Sequence, residues 1–80
     1  MNAETVWRVV IHNDHVNSFR VVVHLVQTLC AMALEEAARL AVEVDRRGSA
    51  EVAAFPEQGR AEELVVAFQR RGLHATARLA

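Results

Sequence analysis

The 80-residue chain predicts one small α+β domain, ordered strand, helix, helix, strand, helix, strand, with a three-stranded antiparallel sheet packed against three helices. Three observations lead there. Apolar residues alternate near both ends of the chain, the period of a half-buried strand. Between those ends, apolar residues recur three and four apart in three separate stretches, which stacks them on one side of a helix. Gly48, Pro56 and Gly72 punctuate the boundaries.

Residues 6–12 carry Trp7, Val9 and Ile11 on one face and Arg8, Val10 and His12 on the other, giving the first strand. From Phe19 the period changes: Phe19, Val22, Val23, Val26, Leu29 and Cys30 form the apolar side of a helix, with Asn17 and Ser18 as suitable caps. Ala31 to Leu34 joins it to a second helix, in which Ala37, Leu40, Ala41 and Val44 point inward, charged residues point outward, and Gly48 supplies a permissive stop. Residues 49–55 have no strong periodicity, but Val52 and Phe55 before Pro56 read as a short strand stopped by proline. Ala61, Leu64, Val65 and Phe68 define the third helix, Arg70 and Arg71 complement its dipole, and Gly72 ends it. Leu73 to Leu79 alternates as the closing strand.

Composition limits the function classes. A chain of this length that is 52% hydrophobic supports a single core, expected over about 6–79 of a 1–80 domain, with residues 1–5 as a short flexible N-terminus. Nine arginines and no lysine stand against ten acidic residues, for a net charge of -1 without a basic cluster, which argues against a nucleic-acid partner. No apolar run approaches the ~20 residues a membrane crossing needs, and Met1 to Val6 lacks the pattern of a secretion signal, so a cytoplasmic protein without membrane contact is expected. The lone Cys30 forms no internal disulfide and belongs on the apolar side of its helix, where a buried thiol is the ordinary occupant.

Little in the chain carries catalysis. His12, His15, His24 and His74 lack the spacing of a metal site and read as solvated side chains, so no metal or cofactor is expected. The three glycines are isolated, so there is no phosphate loop, and neither Cys30 nor Ser18 has a base spaced to activate it. The chain is therefore expected not to be an enzyme. What remains is Asn13 and Asp14 on the strand-to-helix turn, together with Asp45 at the end of the second helix. An amide and two carboxylates can meet all three protons of an ammonium group. The alternative is that Asn13 and Asp14 serve only to close the turn through local backbone bonds.

The stretch RVVIHNDHVNSFRVVVHLVQTL resembles the opening of the ClpS family, adaptors that carry proteins with destabilising N-terminal residues to a Clp ATPase and its protease. A hydrophobic strand, Asn-Asp, a few variable residues and a helix with a bulky apolar residue in its first turn follow in that order. EEAARLAVEVDRRGSAEV looks like the family's second helix and glycine turn, and GLHATARLA is similar to the C-terminal strand of short actinobacterial and cyanobacterial members. The likeness runs from about Trp7 to Leu79. It implies a non-catalytic adaptor whose partners are peptides or proteins with exposed N-terminal residues and a Clp-type ATPase. By motif position the α-amine falls to Asn13 and Asp14, with Asp45 where the family places its amine-binding His. The gate falls on Phe19. The side-chain pocket falls on Val22, Ala41, Val44 and Ala75, with His15 and Asn17 beside it. Core packing explains those apolar positions equally well from periodicity. Large hydrophobic first residues are the expected ligands.

The chain departs from the family pattern in three places. His15 stands where many members have a second acidic residue, and Asp45 where they have the histidine, so the acidity moves from the loop to the helix. Two carboxylates at one small site repel unless a cation occupies it, which favours a clamp by Asp14 and Asp45. On the third helix, positions that meet the ATPase in the family, as a Glu and a Lys, are here Gln58 and Glu63. The family also engages the ATPase through a flexible N-terminal extension; Met1 to Val6 has a short reach at ~3.5 Å per residue. Hence the alternative of a recognition module or decoy without delivery, or an interaction domain like that of the ribosomal stalk protein, in which Asn13 and Asp14 are ordinary turn residues.

Overall fold

In the computed structural model, which describes residues 5–80, β1 (Trp7–His12) is the middle strand of a sheet ordered β2-β1-β3, with β2 (Ser49–Phe55) and β3 (Ala75–Leu79) antiparallel on either side. The helices are α1 (Phe19–Cys30), α2 (Leu34–Arg47) and α3 (Gln58–Arg70), in the chain order β1, α1, α2, β2, α3, β3. The predicted α+β architecture is the observed one. The flexible segment expected over residues 1–5 lies, apart from Thr5, outside the described residues.

One face of the sheet delivers Val9, Ile11, Ala50, Val52 and Ala75 to the core, where they meet Val22, Leu25 and Val26 of α1, Ala37, Ala41 and Val44 of α2, and Ala61 and Phe68 of α3. Phe68 is the largest side chain fully enclosed. The other face carries a bidentate ion pair in which the Arg8 guanidinium donates to both Glu51 oxygens at 3.0 and 2.9 Å. That pair is exposed and contributes little to stability.

The weak periodicity of residues 49–55 has a structural cause. A bulge interrupts the β1–β2 register between Val9 and Val10, so that Glu51 opposes Val10 and Ala53 opposes Val9, leaving Val52 as the extra residue. Ala50 and Val52 enter the core before the bulge resets the phase, and Ala53 and Phe55 pack against the core after it.

Three boundaries differ from expectation by a residue or two, the first strand starting at Trp7 instead of residue 6. The second helix starts at Leu34, within the expected joint, and the last strand starts at Ala75 instead of Leu73. Gly72, at φ 83, turns the chain out of α3, and the Leu73 amide donates back to the Phe68 carbonyl, so Leu73 plugs the core from a loop at 1% exposure. Cys30 is half-buried, not enclosed, because it falls in the last turn of α1 beside the left-handed Ala31. Burial still pushes its thiol up to about 11, which leaves it protonated and unreactive near neutral pH. Among the described residues no helix is long and apolar enough to cross a membrane.

Candidate functional site

The turn between β1 and α1 is built by its own side chains. The Asn13 Oδ1 accepts the His15 amide at 3.1 Å, and His15 takes a left-handed conformation at φ 60. The Asp14 Oδ1 accepts the amides of Val16 and Asn17 at 2.9 and 3.0 Å. Its Oδ2 accepts the Asn17 Nδ2 at 2.7 Å. These are two nested turns of the kind Asn and Asp make with backbone two and three residues ahead. The Asn17 and Val16 amides hold the Asp14 carboxyl below its ordinary value. Ser18 then caps α1 by accepting the Val21 amide at 3.3 Å.

The turn is also tied to the rest of the molecule. The Asn13 amide donates to the Gly48 carbonyl at 2.9 Å, linking it to the end of α2, and the Asn17 Nδ2 donates to the Gly72 carbonyl at 2.9 Å, linking it to the end of α3. Gly48 caps α2 at φ 90, a conformation that costs a side chain and suits glycine. Two distant chain segments, the ends of α2 and α3, therefore converge on Asn13 to Asn17. The His12 amide donates to the His74 carbonyl at the base of the same turn, and the two imidazoles stack with centroids 4.6 Å apart.

Between this turn, the first turns of α1 and the second half of α2 lies a cavity of about 50 Å³ lined by Asn13, Asn17, Phe19, Val22, Ala41, Val44 and Asp45. One rim is polar and the wall is apolar. Helical spacing explains the grouping: Phe19 and Val22 are one turn apart on α1, and Ala41, Val44 and Asp45 lie on one face of α2. Val22, Ala41 and Val44 are buried, whereas Phe19 is 48% exposed at the mouth. Asp45 is exposed, and among the described residues its carboxylate makes no hydrogen bond or ion pair, so its acceptors are unoccupied.

Seven of the residues singled out in the sequence thus surround one cavity. Three others do not line it. Asp14 stands in the turn with its carboxylate already engaged, His15 is exposed on the turn's outer side, and Ala75 is buried at 1% exposure opposite Ile11 in the sheet. Gln58 and Glu63 are exposed on α3; Gln58 Nε2 donates to Glu62 Oε2 at 2.8 Å, and Glu63 lines a shallow hollow with Gly59, Val66 and Arg70. The carbonyls of Gly48 and Gly72 are the supports that the sequence reading missed; only their places as helix stops hinted at them. Among the described residues no group of three or more His, Cys, Asp or Glu is placed to hold a metal ion.

Fold and site together define a small α+β domain that presents a half-polar, half-apolar hollow at the mouth of a helix pair. The family model described as ATP-dependent Clp protease adaptor protein ClpS matches residues 2–76, and the chain belongs to that family. No curated protein matches it. Among solved structures it is similar to Agrobacterium tumefaciens ClpS2 bound to L-phenylalaninamide, with a TM-score of 0.81 and 21% sequence identity over 95% of this chain and 98% of that one. That likeness shows a shared fold.

Proposed function

We propose that this chain binds the free N-terminal residue of proteins or peptides and passes them to a Clp-type ATPase–protease. The α-amine is held by Asn13, Asp14 and Asp45, and the first side chain lies against Phe19, Val22, Ala41 and Val44. The observation that carries this reading is the single cavity with Asn13, Asn17 and Asp45 on one side and apolar walls on the other. An ammonium has three protons and needs acceptors that the protein does not already use. Asp45 offers two such oxygens, and Asp14 offers the lone pairs left by its turn bonds together with its charge. The phenylalaninamide in the Agrobacterium protein has the same chemistry as a first residue, a free amine beside a blocked carboxyl.

At about 50 Å³ the cavity takes only part of a large side chain, far below the several hundred Å³ usual for ligand pockets. Phe19 stands half-exposed at its mouth. Delivery rests on α3, at Gln58 and Glu63, the latter in a hollow that also holds Arg70.

The test is polarisation binding of short peptides covering all twenty first residues, each beside its N-acetylated form. Binding that prefers apolar first residues and disappears on acetylation is expected. Equal binding of free and acetylated peptides would overturn amine recognition.

A further inference from the structure

A second, larger groove of about 300 Å³ runs along the seam of α1 and α2, and Phe19 is a wall of both it and the smaller cavity. Its floor is Val23 and Ala38, its far side is Leu34 at 60% exposure, and Arg20 and His24 stand at its rim. Large exposed apolar residues collected in one concave strip signal an interaction surface. What covers this one follows from its continuity with the cavity. Leu34, Ala38, Ala41 and Asp45 form a single stripe on α2, the first pair in the groove and the second in the cavity.

From Leu34 and Ala38 to Ala41 and Asp45 is about 10 Å along the axis at ~1.5 Å per residue. In an extended peptide the first and third side chains point the same way, ~7 Å apart, and the length of a leucyl side chain covers the difference. We infer that the groove is a subsite for an apolar third residue of the bound peptide, so that recognition reads two side chains on the same face of the strand, one on either side of Phe19. This rests on the N-terminal binding proposed above. The second side chain points away from the helices and is free to vary. Arg20 at the rim disfavours a basic third residue by like charge.

The experiment uses the full chain and free-amine peptides that share one first residue and differ only at position three, as Leu, Ala or Lys, with acetylated controls. Partial burial of a leucyl side chain predicts binding about fivefold tighter for Leu than for Ala, with Lys weakest. Leu34→Asp keeps the helix, since an acidic residue suits its first turn. In that variant the Leu preference is lost and Lys gains. Leu34→Ala, which adds no charge, should shrink the Leu preference without helping Lys. Amine-dependent binding that ignores position three, or a Leu preference that both variants leave intact, would overturn the subsite while N-terminal recognition stands. A Leu preference that survives acetylation would show an independent peptide site and overturn the coupling. No binding by any peptide would remove both readings.

Discussion

Asp14, in the turn, and Asp45, which lines the cavity, carry the same side chain and are used in opposite ways. Asp14, in the turn, accepts the amides of Val16 and Asn17 and the Asn17 carboxamide, and its carboxylate holds the loop's shape. Asp45, on an exposed ridge of α2, spends none of its oxygens on the described protein. The helix needs nothing from Asp45, because its backbone is satisfied by its own ladder, whereas the turn has no ladder and draws on side chains. One carboxylate is spent on the turn; the other has no partner among the described residues.

The largest effect that tests this contrast comes from Asp14→Ala. It strips the turn of three acceptor contacts and should lower stability by about 1 kcal/mol, as loss of a capping side chain does. For a domain of this size that is a fall in Tm of roughly 4–8 °C by calorimetry. Amine affinity should fall more than tenfold in the same variant. A protein that unfolds as the wild type does would show that the turn holds itself without the carboxylate.

Asp45→Asn should separate binding from folding. Its stability should stay within about 0.5 kcal/mol of wild type, as for a surface residue without partners. Peptide affinity should drop about tenfold through loss of a charged acceptor. An unchanged affinity would place the amine wholly at the turn and leave Asp45 as solvated surface. Phe19→Ala acts on the apolar side of the same cavity. Removing the half-exposed ring should raise affinity for a Trp or Phe first residue about fivefold, from room gained, while a small first residue such as Ala gains nothing. Competition binding with the two classes of peptide reads the difference directly.

The comparison also explains what was legible beforehand. Element order came through because Val9 and Ile11, or Val22 and Val26, must face a core, and a buried face writes its period into the chain. Leu73 misled because an apolar residue that plugs the core from a loop extends an alternating pattern just as a strand residue would. Ala75 packs into the core from β3 and not into the cavity, since burial alone does not say which space a small residue faces. Asp14 and Asp45 are indistinguishable as letters; whether a carboxylate is spent on backbone amides depends on a turn geometry that Gly48 and Gly72 help to set from 30 and more residues away.

The smallest effect is on pH dependence, and it bears on the turn side only. His12 sits at the base of the turn, where partial burial first, then the neighbouring His74 and Arg78, hold its imidazole below 6.5. Because the folded value is depressed, the unfolded chain takes up the proton first. The stability attached to a neutral His12 is therefore fully present above about 6.5 and is lost as pH falls from there through the folded value. Urea midpoints should decline from pH 7.5 to 5.5, and His12→Gln, which keeps a hydrogen-bonding group near the Thr76 hydroxyl, should flatten the slope. Asp14 keeps its charge across that window, since its own value lies below the ordinary carboxylate range. A loss of peptide affinity between those pH values, measured on protein that remains folded and abolished by His12→Gln, would then mean that the imidazole reaches the ligand through the Asn13 turn. An unchanged slope in His12→Gln would move the titration to another group and leave the turn insensitive to its base.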